Sequence, residues 1–330
     1  MTKPRKLLVI QTASIGDVIL ATSLIETLHQ AYPEAQIDFL AKKGMEGLFI
    51  SHPFLSRLHL WDKSDHKNLH LWRLLGRVRK EKYDIIINVQ RFFSTGLITA
   101  FSGARYRIGF SKNPLSFLFT HTVTHEIGTG VHETERNHKL IAVLGDYPLR
   151  NPRLYPPQED LDAVTPYQDK PYITVAPASL WFTKQYPVDR WISMIQALPS
   201  HYRILLLGGR DDHALCETIV MALPDRDVLN LSGTLTFLQS AALMKPARMN
   251  FVNDSSPMHL ASAVNAPVRA VFCSTLPRFG FGPLSDEARV VQTRIELACR
   301  PCGLHGQKAC PEGHFKCAYT IDNTELTRDL

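Results

Sequence analysis

The residues of this chain best suited to do chemistry are a carboxylate, an ammonium and a set of hydroxyls, each placed where an apolar segment ends. Asp17 follows Gly16 in VIQTASIGDVILATSL, residues 9–24, where a buried strand gives way to an amphipathic helix. A carboxylate there can act as a general base, taking a proton from an attacking hydroxyl as negative charge leaves the other reactant. The plainer reading is a helix cap, in which the carboxylate accepts free backbone N–H groups at the positive end of the helix dipole, contributing about 1 kcal/mol. The turn before it, Ala13-Ser14-Ile15-Gly16, lacks G-x-G-x-x-G spacing, which argues against a dinucleotide pyrophosphate site after the first strand.

Two further groups lie in the second half. VAPASLWFTKQYPVDRW runs from a strand into a loop with Ser179, Thr183 and Lys184, then into a helix near Val188–Trp191. Hydroxyls and one lysine at a strand's carboxyl end make a phosphate cradle; a solvated loop is the alternative. Gly208 and Gly209 in LLLGGRDDHALCE allow a tight turn or a close approach to a ligand. In FVNDSSPMHLASAVNAP a strand ends at Asp254, Ser255 and Ser256 follow, Pro257 suits the first helical position and His259 falls in the first turn. Such a helix start can hold an anion without a metal, although Asp254 as a cap and His259 as a satisfied polar group are the simpler roles.

The elements that must position these residues alternate in type. Lys6–Gln11, Gln36–Leu40 and Asp84–Val89 read as buried parallel strands, and Val18, Leu20, Leu24, Ile25 and Leu28 as a helix between the first two. Pro148, Pro152, Pro156, Pro157, Pro166 and Pro171 then interrupt regular structure. A second set of strands follows at Tyr172–Ala176, Arg203–Leu207, Val228–Leu231, Met249–Val252 and Val268–Phe272. The fold class is α/β, with two doubly wound domains, 1–160 and 161–330, and a ligand cleft expected between them.

Four of the six cysteines crowd into CRPCGLHGQKACPEGHFKC as Cys299, Cys302, Cys310 and Cys317, with His305 and His314 between them. Alone this pattern resembles a zinc knuckle, but only the first pair has the tight spacing of one, so cysteines bracing a loop are the alternative and no metal is expected. Cys216 and Cys273 read as buried thiols. The net charge of +6 points to anionic company. No apolar run reaches the roughly 18 residues of a membrane span, and the start of the chain leads straight into a strand, so a cytoplasmic protein is expected. A nucleic-acid binder should show aromatics interleaved on a basic strand, and an epimerase or dehydrogenase should show the glycine fingerprint; neither is found.

The order S-x-G-D after the first strand, the loop Ser179–Lys184, G-G at 208–209, N-D-S-S-P-M-H-L-A-S-A at 253–263 and F-G-F-G-P at 279–283 resembles the ADP-heptose:lipopolysaccharide heptosyltransferases. These form glycosyltransferase family nine, of the GT-B fold, and the motifs resemble those of the heptosyltransferase II branch. The resemblance implies an inverting, metal-independent transfer of heptose from ADP-L-glycero-D-manno-heptose to the lipopolysaccharide inner core, with no cofactor. It makes Asp17 the base and gives Lys184 the charge on departing ADP. Ser179, Thr183, Lys184, Gly208, Gly209, Asp254, Ser255, Ser256 and His259 would line the donor site, and Ser14, Gly16, Arg105 and Arg107 the acceptor side. Arg73, Arg77, Arg79, Lys80 and Lys82 read as a solvated helix face. An anionic, lipid-linked acceptor also implies contact with the inner membrane, each nearby basic group contributing about 1 kcal/mol. One departure stands out: Ser256, before Pro257, occupies the position where the family commonly has glycine, and a residue before proline is pushed towards extended geometry. A different nucleotide-sugar or acceptor on the same fold is therefore the alternative.

Overall fold

The computed structural model describes residues 4–64 and 66–330 and divides into two compact units, up to Tyr155 and from Pro156 onward. The first unit contains β1 (Lys6–Ile10), α1 (Ile15–Ala31), β2 (Gln36–Lys42), β3 (Arg57–Trp61), α2 (Lys67–Glu81), β4 (Ile85–Asn88), α3 (Phe93–Ala100), β5 (Tyr106–Phe110), β6 (His121–Val123) and α4 (Glu133–Lys139). Its sheet is wholly parallel, in the order β3-β2-β1-β4-β5-β6. At the centre Val9 pairs with Phe39 on one side and Ile87 on the other. Leu7 to Ile10 are completely buried, as expected of a parallel strand with helices on both faces.

The second unit contains α5 (Gln158–Val164), β7 (Tyr172–Ala176), α6 (Val188–Ala197), β8 (Arg203–Leu206), α7 (His213–Met221), β9 (Val228–Asn230), α8 (Phe237–Met244), β10 (Asn250–Asn253), α9 (Ser256–Ala263), β11 (Val268–Phe272), β12 (Ala288–Gln292), α10 (Lys316–Tyr319) and α11 (Asn323–Thr327). Its parallel sheet runs β12-β11-β10-β7-β8-β9. Counted from its own first strand, that is the same 3-2-1-4-5-6 order as in the first unit. In each sheet the winding reverses between the first and fourth strands, and ligands gather beyond the carboxyl ends of strands at such a point.

The expectation about the proline-rich stretch is corrected. The proline-rich stretch is not free of regular structure, because α5 forms inside it. Pro157 serves as its N-cap and Glu159 and Asp160 occupy its first turn; Pro148, Pro152, Pro156 and Pro157 precede the helix and Pro166 and Pro171 follow it, so none breaks it. A division at 160/161 would cut α5, which packs on α8 of the second unit. The cysteine-rich segment is part of the core: Phe315, Cys317, Ala318, Ile321 and Leu326 pack with Trp191, Ile195, Phe251 and Val271.

Candidate active site

In the second unit the loops after β7 and β10 lie on neighbouring strands at the point where the winding reverses. Asn253, at the end of β10, fastens both ends of the loop after β7. Its Nδ2 donates to the carbonyls of Pro177 (2.7 Å) and Ala178 (3.3 Å), and its Oδ1 accepts from the Tyr186 amide (2.9 Å). Gln185 Nε2 donates to Ser179 O at 2.5 Å. The loop thereby carries Lys184 to Asp254, with Nζ 2.8 Å from Oδ2, and the same oxygen accepts a hydrogen bond from Thr275 Oγ1 at 2.6 Å. Both members of the ion pair are largely buried. The result is a cation held in one place at the mouth of a helix, the arrangement that binds a phosphate.

Ser255 is the extended N-cap of α9, Ser256 is the first helical residue and Pro257 the second. The expectation that Pro257 forces Ser256 into extended geometry is therefore corrected: the bend falls one residue earlier. Ser255 and Ser256 stay partly accessible, while His259 is buried in the same helix. Thr183, expected among the ligand contacts, is buried, and its hydroxyl accepts from Gln307 N (2.8 Å) and Ser274 Oγ (3.0 Å). It braces the loop. Gly208 and Gly209 form a tight turn closed by Asp212, whose Oδ2 accepts the Gly209 amide at 2.7 Å; a Cβ on Gly208 would come within 2.9 Å of Asp212.

The cysteine-rich segment supplies the other half of this bracing. Thr183 N donates to Gln307 O (3.1 Å), and Cys302 N to Ser274 O (3.0 Å). Gly306, at φ +80°, lies so near that a Cβ would meet Lys184 Cγ and Thr183 Oγ1 at 3.0 Å. Arg300 donates to the carbonyls of Phe272, Cys273 and Thr275. Cys299, Cys302, Cys310 and Cys317 line one cavity of about 190 Å³ with Phe315. All six cysteines are free thiols, and among the described residues no group of three or more His, Cys, Asp or Glu stands ready to hold a metal ion. Cys216 and Cys273 are fully buried.

In the first unit Ser14 caps α1, and Asp17 is the third helical residue of a capping box. Asp17 Oδ2 accepts from the Ser14 amide (3.2 Å) and hydroxyl (2.5 Å), while Ser14 Oγ accepts from the Asp17 amide (3.4 Å). The cap is real, and it also fixes the carboxylate at the carboxyl end of β1. Gly16 is buried beside it. Two neighbours escaped the sequence reading. Gln90 Oε1 accepts the Thr12 hydroxyl (2.7 Å), and Lys63 Nζ, from the end of β3, donates to Thr12 O (2.7 Å) and Oγ1 (2.9 Å). Half-buried, with Lys42 and Lys67 nearby, the Lys63 ammonium has its pKa brought down to about 8. The only hint in the sequence is a lysine two residues past Arg57–Trp61, whose charged and apolar residues are mixed.

Arg105 lies over the Tyr106 ring at 5.3 Å and is exposed. Arg107 is engaged within the unit, with Nη1 on Ala104 O (2.7 Å) and Nε on Leu118 O (3.2 Å). Among the described residues no helix is long and apolar enough to cross a membrane.

The two doubly wound parallel sheets are those of the GT-B fold. The glycosyltransferase family 9 (heptosyltransferase) model matches residues 71–312, and the chain belongs to that family. It is 27% identical over 280 residues to lipopolysaccharide heptosyltransferase 3 of Escherichia coli, covering 79% of this chain and 81% of that protein. The structure of E. coli ADP-heptose LPS heptosyltransferase II superposes with a TM-score of 0.80 at 23% identity, covering 97% of this chain and 96% of that one. E. coli heptosyltransferase WaaC, solved with ADP-2-deoxy-2-fluoro heptose, gives 0.72 at 19% identity, covering 87% and 93%.

Proposed function

We propose that this chain transfers heptose from ADP-L-glycero-D-manno-heptose to the lipopolysaccharide inner core, on the cytoplasmic side of the membrane, with inversion and without a catalytic metal. The observation that carries the reading is the Lys184–Asp254 pair at the winding reversal of the second sheet, which supports a diphosphate site. Lys184, Ser179, Ser255, Ser256 and the first amides of α9 bind the donor diphosphate; Asp254 and Thr275 position Lys184. Asp17 takes the proton of the acceptor hydroxyl, its oxygen attacks the anomeric carbon, and the bond from that carbon to the diphosphate oxygen breaks with its electron pair leaving on ADP. Lys184 offsets the charge gathering there. Lys63 and Arg105 supply positive charge on the acceptor side, and Ser14 holds Asp17 in place.

Ser256 in place of the family glycine favours one second reading, the same chemistry on a different nucleotide-sugar. The purified chain incubated with a panel of nucleotide-sugars and an inner-core acceptor, with products weighed by mass spectrometry, separates the two. Heptose added to the acceptor and ADP released support the proposal; transfer from another donor alone, or none, refutes it.

A further inference from the structure

The first unit bears an aromatic and basic surface that the transfer chemistry does not use. Phe92 and Phe93, where α3 begins, are 62% and 55% exposed, and Phe117, in the turn after β5, is 78% exposed. They share one surface, because Asn113 Nδ2 donates to the carbonyls of Phe92 (3.0 Å) and Gln90 (3.2 Å) and α3 packs on the 116–118 turn. Exposed Arg91 and Lys112 flank the rings. From Ile85 to His125 the chain has no Asp or Glu, so no acidic side chain of that segment offsets these cations. The surface follows the carboxyl ends of β4 and β5, the same edge of the sheet from which the Asp17 turn leaves β1.

Grouped exposed rings mark an interaction site. Aromatic rings favour the headgroup level of a bilayer, and cations are drawn to an anionic leaflet. We infer that Arg91, Phe92, Phe93, Lys112 and Phe117 dock the first unit onto an anionic lipid bilayer, turning the Asp17 edge towards a lipid-anchored acceptor. The inference deepens the function proposed above and rests on it only for the acceptor's being lipid-linked.

The test floats the purified chain with vesicles of phosphatidylethanolamine and phosphatidylglycerol, and with neutral phosphatidylcholine vesicles, at low and high salt. Binding is expected on the anionic vesicles, weakened by salt, and lowered about tenfold or more in Phe92→Ser/Phe117→Ser and in Arg91→Ser/Lys112→Ser. Melting temperatures matching the wild type's are the control that these variants fold. Failure of the wild type to bind, or variants that bind as well as it does, overturns the inference. So does a dimer that dissociates on Phe117→Ser, which would give the surface to a second copy. ADP release with a detergent-dispersed acceptor is followed in parallel: full turnover in variants that no longer bind vesicles supports docking. Vesicle binding by a wild type that transfers no heptose supports docking too, and counts only against the proposed function.

Discussion

Lys184 Nζ lies 2.8 Å from Asp254 Oδ2, the oxygen that also accepts the Thr275 hydroxyl. The contact joins the loop after the first strand of the second sheet to the loop after its fourth, so one ion pair ties together both sides of the winding reversal. Removing either partner leaves the other largely buried and unpaired.

Lys184→Ala should weaken ADP binding by about 2 kcal/mol, some thirtyfold, by isothermal titration calorimetry. Asp254→Asn should weaken it comparably, because Lys184 loses its anchor. The double change should cost little more than the larger single one. Strictly additive losses would show that the two residues act separately.

The capping role of Asp17 and the catalytic role proposed for it can be separated by mutation. Asp17→Asn should lower turnover about a thousandfold while leaving ADP affinity unchanged. Ser14→Ala removes the cap and the hydroxyl's bond to the carboxylate but leaves the carboxylate itself, and should cost about 1 kcal/mol of stability with a far smaller loss of turnover. Equal losses of turnover in both variants would reduce Asp17 to a helix cap.

Buried Glu133 pairs with Arg136 (Nη2 to Oε2, 2.6 Å) and with His125 (3.3 Å). Burial alone would push its carboxyl up, but the bond to His125 and the charge of Arg136 outweigh burial and hold it below the ordinary value of 4.5. A depressed carboxyl binds fewer protons folded than unfolded, so its stabilisation is complete above pH 4.5 and is lost as pH falls through the folded value. Glu133→Ala should cost about 3 kcal/mol in urea titrations at pH 7. It should also flatten the acid limb of the stability curve; an unchanged limb would remove Glu133 as its cause.

Lys63 should give the reaction an alkaline limb. Its charge is lost as pH rises through about 8, so the KM for an anionic acceptor should climb across that range and stay level in Lys63→Arg. The effect on stability has the opposite sense. With a folded value below the ordinary 10.5, the folded chain gives up this proton first, and the group's contribution is full above 10.5 and wanes as pH drops to 8. A KM that ignores pH between 7 and 9 would exclude Lys63 from acceptor binding.

The central strands were legible in the sequence because burial on both faces makes them uninterrupted apolar runs: Tyr172–Ala176 and Val268–Phe272 match residue for residue. The edge strands β3, β6 and β12 were not read as strands. Arg57–Trp61 mixes charged and apolar residues, and His121–Val123 has only three residues, because an edge strand is partly wet. The site divides along the same line. Asp17, Lys184 and Asp254 follow core strands, so their positions are legible in the sequence. Lys63 and Gln90 meet Thr12 across 51 and 78 residues of sequence, and no local pattern records such a meeting. Thr183 was placed in the right loop but turned the wrong way, since its partner Gln307 lies 124 residues downstream.

That last contact sets an order of events. The strand that feeds the Lys184 loop is made early, but Gln307, which fastens the loop, and Leu326, which closes the core beneath it, are made late. On a growing chain every strand of the second sheet is made before the residue that fastens the ammonium. A nonsense change that removes only the residues past 298 would spare every strand of both sheets, yet take away Gln307, which fastens the Lys184 loop, and Phe315, Ile321 and Leu326 of the core beneath it.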